Sequence, residues 1–149
     1  MFSFALLIYP ALWPQTGFPL PDAMPQSSAD PASYIGLTLQ ELIGSFGIPG
    51  SVYAVRGLEE WQDDVVFAYN GTDFYIYRDR VWQVALMEAY FIRTGDMGSA
   101  IPLSFGEALY SDENCAIFPL KGQNWPMALR VNFDSAGKVA MIFIYRSDL

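Results

Sequence analysis

The sequence predicts an α+β domain built from two tandem repeats of a short helix plus an antiparallel meander. Together they form one curved antiparallel sheet with helices on one face. Three observations point there. The stretch from Trp61 to Leu86 alternates like strands around two tight reversals. Thr38 to Phe46 carries the start signal and the apolar stripe of a helix. The order helix, strand, Trp-led strand, closing strand then recurs at a spacing of about 59 residues, counted from Gly47 to Gly106.

The meander rests on period-2 patterning. Val65, Phe67 and Tyr69 alternate with Val66 and Ala68, as in a half-buried strand. Asn70-Gly71 follows, a pair suited to the positive φ angles of a type I′ hairpin turn. Phe74 to Tyr77 is aromatic and β-branched and predicts the return strand. Arg78-Asp79-Arg80 is a polar break long enough only for another reversal, and Val81 to Leu86 predicts the third strand.

The first helix begins at a capping box, Thr38-Leu39-Gln40-Glu41, in which hydroxyl and carboxylate each take up a free backbone N–H. Leu39, Leu42, Ile43 and Phe46 then fall on one apolar face. Gly47 predicts a left-handed cap, and Pro49 stops the helix. Ser51 to Arg56 predicts a strand. In the second half, IPLSFGEA (Ile101 to Ala108) parallels LIGSFGIP (Leu42 to Pro49). A kinked helix is expected there, because Pro102 lies inside it, with Asp96 as its N-cap. Strands are expected at Ala116 to Leu120, after Trp125, and at Val139 to Arg146, with a Gly-containing hairpin loop at Asp134 to Lys138.

Residues 1–33 read as an export-like segment and tether. Phe2 to Trp13 is apolar but too short to span a bilayer. It fits the distal part of an export signal, or an apolar strand docked on the domain. No Lys or Arg precedes Arg56, so the positive n-region of a signal peptide is missing. Pro14, Pro19, Pro21, Pro25 and Pro31 make the following stretch a linker. The domain is expected over 34–149, with repeat one at about 34–88 and repeat two at about 89–149. The expected location is the periplasm or the cell exterior.

The helix ending in Phe-Gly-x-Pro, then a strand, a Trp-led strand and a closing strand, resembles the tandem-repeat fold of the β-lactamase inhibitor protein. Within one repeat it is similar to small outer-membrane-assembly lipoproteins of the SmpA type. The matching residues are Thr38, Leu42, Phe46, Gly47 and Pro49, then Phe105 and Gly106. The resemblance implies helices backing one sheet face, with the other face docking a protein partner. The repeats here lack the inhibitor's cysteine pairs and any lipid-attachment cysteine.

Composition narrows the chemistry. The 149 residues carry a net charge of −8, 16% charged residues and no histidine. That sign repels phosphate backbones, which argues against nucleic acid. It also weakens attraction to anionic membranes. Absence of histidine removes the commonest general base and metal ligand. The single Cys115 excludes an intrachain disulfide and predicts a small buried hydrophobe. No cofactor or metal is expected. Asp63-Asp64 would point to opposite sheet faces, so the pair does not converge on one atom. Asn70-Gly71-Thr72 is a glycosylation sequon in a turn that suits Asn-Gly anyway. An enzyme reading would require a carboxylate-only hydrolase.

The aromatics Tyr53, Trp61, Tyr69, Tyr75, Tyr77, Trp82, Trp125 and Tyr145 lie on or beside the expected strands. A sheet backed by helices buries only one face on them. Trp82, Val84 and Leu86 form the more apolar side of their strand and are expected inside. Ile76 belongs inside as well, which turns Tyr75 and Tyr77 outward. The expected partner-binding residues are therefore Tyr75, Tyr77, Arg78 and Arg80, of types that interfaces favour. The function expected is an exported, non-enzymatic protein-binding module without a stable membrane span. The alternative is a binder of a small apolar ligand or lipid in a cleft between sheet and helices.

Overall fold

A computed structural model describes residues 30–56, 64–87, 106–121 and 124–149. A 3₁₀ helix, Pro31–Tyr34, precedes α1 (Leu39–Phe46). The strands are β1 (Ser51–Val55), β2 (Asp64–Tyr69), β3 (Thr72–Tyr77), β4 (Arg80–Met87), β5 (Tyr110–Ser111), β6 (Cys115–Leu120), β7 (Met127–Phe133) and β8 (Val139–Arg146). They form one antiparallel sheet in the order β1-β2-β3-β4-β8-β7-β6-β5.

This corrects the expected fold class. The described residues hold a single α-helix and a 3₁₀ helix against an eight-stranded sheet, not two helix-plus-meander repeats. Gly106 leads into Glu107 to Leu109 and then the two-residue β5. One apolar cluster runs under both halves of the sheet, joining Leu42 and Phe46 of α1 to Val131, Ile142 and Ile144. Of the second helix expected on Ile101 to Ala108, with Asp96 as its cap, everything before Gly106 lies outside the described residues, as do Trp61 and the segment 1–29.

Local chemistry explains the first elements. Thr38 Oγ1 accepts from the Glu41 N–H at 3.2 Å, and Glu41 Oε2 accepts from the Thr38 N–H at 2.8 Å, completing the capping box. Gly47 closes α1 at φ 75°, ψ −156°. That is the extended positive-φ region open essentially to glycine alone, rather than the expected left-handed helical cap. Its N–H donates to Ile43 O at 2.8 Å. Leu42 and Phe46 are buried while Ile43 is exposed, so the apolar face of α1 is narrower than its sequence pattern.

The two reversals of the first meander trade roles. At Asn70-Gly71 only Gly71 has positive φ, at 80°, so the turn is not type I′. At Arg78-Asp79 both residues do, at 48° and 64°, the type I′ signature, with Tyr77 paired to Arg80.

Directly opposed strand residues share a face, so the register defines two surfaces. On the α1 side one row runs Phe67, Phe74, Val84, Ile144, Leu129, Phe118. Tyr34, Phe46, Tyr69 and Phe74 pack there with ring centroids 5.1–5.8 Å apart. The reverse face has two rows. One runs Tyr53, Val66, Tyr75, Gln83, Tyr145, Ala128, Pro119, and the other Ser51, Ala68, Asp73, Ala85, Phe143, Arg130, Ile117, Tyr110. Among the described residues β5 pairs only with Ala116 and Ile117, so Pro119 interrupts no described ladder on that side of β6.

The chain before α1 is tied to β4. Gly36 N–H donates to Val81 O and Val81 N–H to Leu37 O, each at 2.8 Å. Gly36 has φ +92°, and a Cβ there would collide with the Trp125 ring.

Candidate binding face

A β-bulge builds the reverse face. The register between β3 and β4 shifts between Tyr75 and Ile76: Tyr75 opposes Gln83, and Ile76 opposes Val81. Trp82 is the extra residue. The shift turns Val81 into the core, fully buried, beside Val84 and Leu86. Trp82 therefore leaves the core side where strict alternation placed it. Its indole N–H donates to Asp64 Oδ1 at 3.0 Å, and its ring meets Tyr75 edge-on at 6.5 Å. Bulges commonly re-aim a side chain in this way.

Tyr75 lies on the reverse face, half-buried, between Val66 and Gln83. Burial, then the carboxylates of Asp73 and Asp64, raise its phenol pKa above the ordinary tyrosine value. Tyr77 stands at the end of β3, with the Arg78 guanidinium 5.1 Å from its ring centroid. Arg80 has a different place. Its Nη1 donates to Gly36 O at 2.8 Å, and Thr38 bridges to it, so it pins the chain entering α1. Tyr75 and Trp82 are thus brought together, Tyr77 pairs with Arg78, and Arg80 is engaged elsewhere.

Two buried or half-buried acids anchor aromatics on this face. Asp73, 3% exposed, accepts from the Tyr53 hydroxyl at 2.5 Å. Burial first, and then this hydrogen bond, push the Tyr53 phenol pKa well above its usual value. Asp64 holds Trp82 as described.

The centre of the face was not legible in the sequence. Trp82, Gln83, Ile117, Arg130, Phe143 and Tyr145 line an open depression of about 600 Å³. Arg130 is exposed, and its Nε donates to Asn132 Oδ1 at 2.9 Å. Alternation in Val139 to Arg146 put Phe143 and Tyr145 on one side. Only the β4–β8 pairing sets them beside Gln83 and Ala85, which are distant in the chain.

On the α1 side the space under the helix is filled by Leu42, Phe46 and Phe74. A hollow of about 200 Å³ lies by the 3₁₀ helix, lined by Ala32, Ile35, Trp125 and Met127 among others. That is below the roughly 300–1,000 Å³ of ligand pockets. Cys115 is buried, and its N–H donates to Asp112 Oδ1 at 2.7 Å. Among the described residues no group of three or more His, Cys, Asp or Glu could hold a metal ion. No described helix is long and apolar enough to cross a membrane.

No protein-family model matches the chain, and no curated protein does. A solved structure similar to it is an extracellular protein containing an SCP domain from Bacillus anthracis str. Ames. It is 13% identical over 82% of this chain, with a TM-score of 0.45. The match spans 47% of that protein, so this chain corresponds to under half of its length.

Proposed function

We propose that this chain is an exported, non-enzymatic protein-binding module whose contact surface is the reverse face of the sheet. The observation that carries the reading is the depression lined by Trp82, Phe143, Tyr145 and Ile117, with Arg130 and Gln83 among them. Trp, Tyr and Arg are the types that dominate binding energy at protein interfaces. Acids fix Trp82 and Tyr53 from beneath, so part of the surface is organised before a partner arrives. The apolar run Phe2 to Trp13 and the proline-rich stretch after it support export.

The test compares Arg130→Glu combined with Tyr145→Ala against Gln40→Ala on the exposed side of α1. Wild type and the α1 variant should retain the same partner from the native extract. The face variant should lose at least about 2 kcal/mol of affinity, tens of fold, if these are hot-spot residues. Equal retention by the face variant, with its melting curve unchanged, would refute the reading.

A further inference from the structure

The sheet has two edges, and they are treated differently. β5 is two residues long and is followed by Asp112 and Glu113, so that edge is short and charged. β1 is five residues, Ser51–Val55, with no proline, no charge and no bulge. Four of its residues are exposed, and no described residue pairs with its outer side. Val52 is 53% exposed, Val65 on the same sheet face 45%, and Ile48 just before the strand 77%. The one large side chain that could shield the edge, Tyr53, is instead bonded to Asp73 two strands inward.

We infer that β1 pairs antiparallel with β1 of a second copy, joining two sheets across a two-fold axis at Tyr53. Charge argues for this occupant. The chain carries a net charge of −8, yet no charged residue lies between Glu41 and Arg56. The edge can therefore meet its own copy without facing like charges. Centring on Tyr53 sets Val52 against the partner's Ala54 on the α1 side and Arg56 against the partner's Gly50. Two-fold pairing of one patch with itself is the commonest form of soluble assembly. The surface lies on another part of the molecule from the reverse-face depression and stands without it.

Sedimentation velocity of the full chain over a concentration series tests this. Wild type should approach twice the chain mass of 16.7 kDa. Val52→Glu with Ala54→Glu places like charges directly opposite across the axis and should sediment as a monomer. Val52→Glu with Ala54→Lys places opposite charges there and should restore the dimer. Both variants change exposed edge positions, so far-ultraviolet dichroism should match wild type. A wild type that stays monomeric would overturn the inference, as would a dimer indifferent to the paired glutamates or a glutamate–lysine variant that fails to recover. A monomeric wild type that adds an unrelated peptide strand at β1 would assign the edge to another partner and overturn it equally.

Discussion

Tyr53 shows how a single residue ties the edge strand to the sheet. Its ring crosses β2 to reach the buried carboxylate of Asp73, so losing its proton would leave two negative charges in contact. The phenol pKa is raised in the fold, while in the unfolded chain it titrates near about 10. The stabilisation is therefore fully present below about pH 10 and is lost as pH rises through the folded value. Ultraviolet titration should show a late-ionising phenol that Tyr53→Phe removes. The variant's melting temperature should fall less steeply than wild type's above about pH 10. Parallel falls in the two proteins would show that another tyrosine sets the alkaline limit. Tyr69 and Tyr75 also have raised values, from burial first, and are the next to examine.

At the scale of elements, turns and bulges decide what the strands present. The hairpin at Arg78-Asp79 holds two non-glycine residues at positive φ. Each pays a steric penalty of about 1 kcal/mol or more. Asp79 contributes its carbonyl, which accepts from the Leu39 N–H at 3.1 Å, and a glycine keeps that group. Asp79→Gly should therefore stabilise the protein by about 0.5–1 kcal/mol in denaturant titration, with the slope unchanged. A loss of stability would mean that the Asp79 side chain offsets its backbone strain. The bulge at Trp82 shapes the reverse face through the same logic. One extra residue in β4 sends Val81 inward and brings Trp82 out to Asp64 and Tyr75.

At the scale of the molecule, one core serves both halves of the sheet, and Gly36 lies at their junction. It hydrogen-bonds to β4, accepts from Arg80, and lies against Trp125, two residues before β7. The Arg146 guanidinium lies over the Trp125 ring, 4.9 Å from its centroid, and is itself held by Asp148 at 2.9 Å. Gly36→Ala adds a positive-φ penalty and a steric clash with the Trp125 ring. Thermal unfolding should show a loss of about 2–4 kcal/mol in a single transition. Two separated transitions would indicate that the halves unfold independently.

Short-range signals along the chain were enough to specify the local elements. Thr38 and Glu41 specified the helix start, because a capping box is closed within four residues. The alternation around Asn70-Gly71 specified β2 and β3, and Asp134 to Lys138 specified a hairpin loop whose Asp134 carboxylate accepts from two backbone N–H groups at 2.8 Å. Each signal depends on neighbours in the chain. Tertiary structure decided which strands lie side by side, and therefore which residues share a face. Pairing β4 with β8 placed Phe143 and Tyr145 beside Gln83 and Ala85, a contact that no local pattern encodes. The bulge reversed Trp82 because strict alternation has no provision for an extra residue, and an error of one position changes the face of the side chain. Arg80 appeared beside Tyr77 in sequence as an interface residue. Folding gave its guanidinium to Gly36 instead, since the carbonyl it meets comes from 44 positions earlier in the chain.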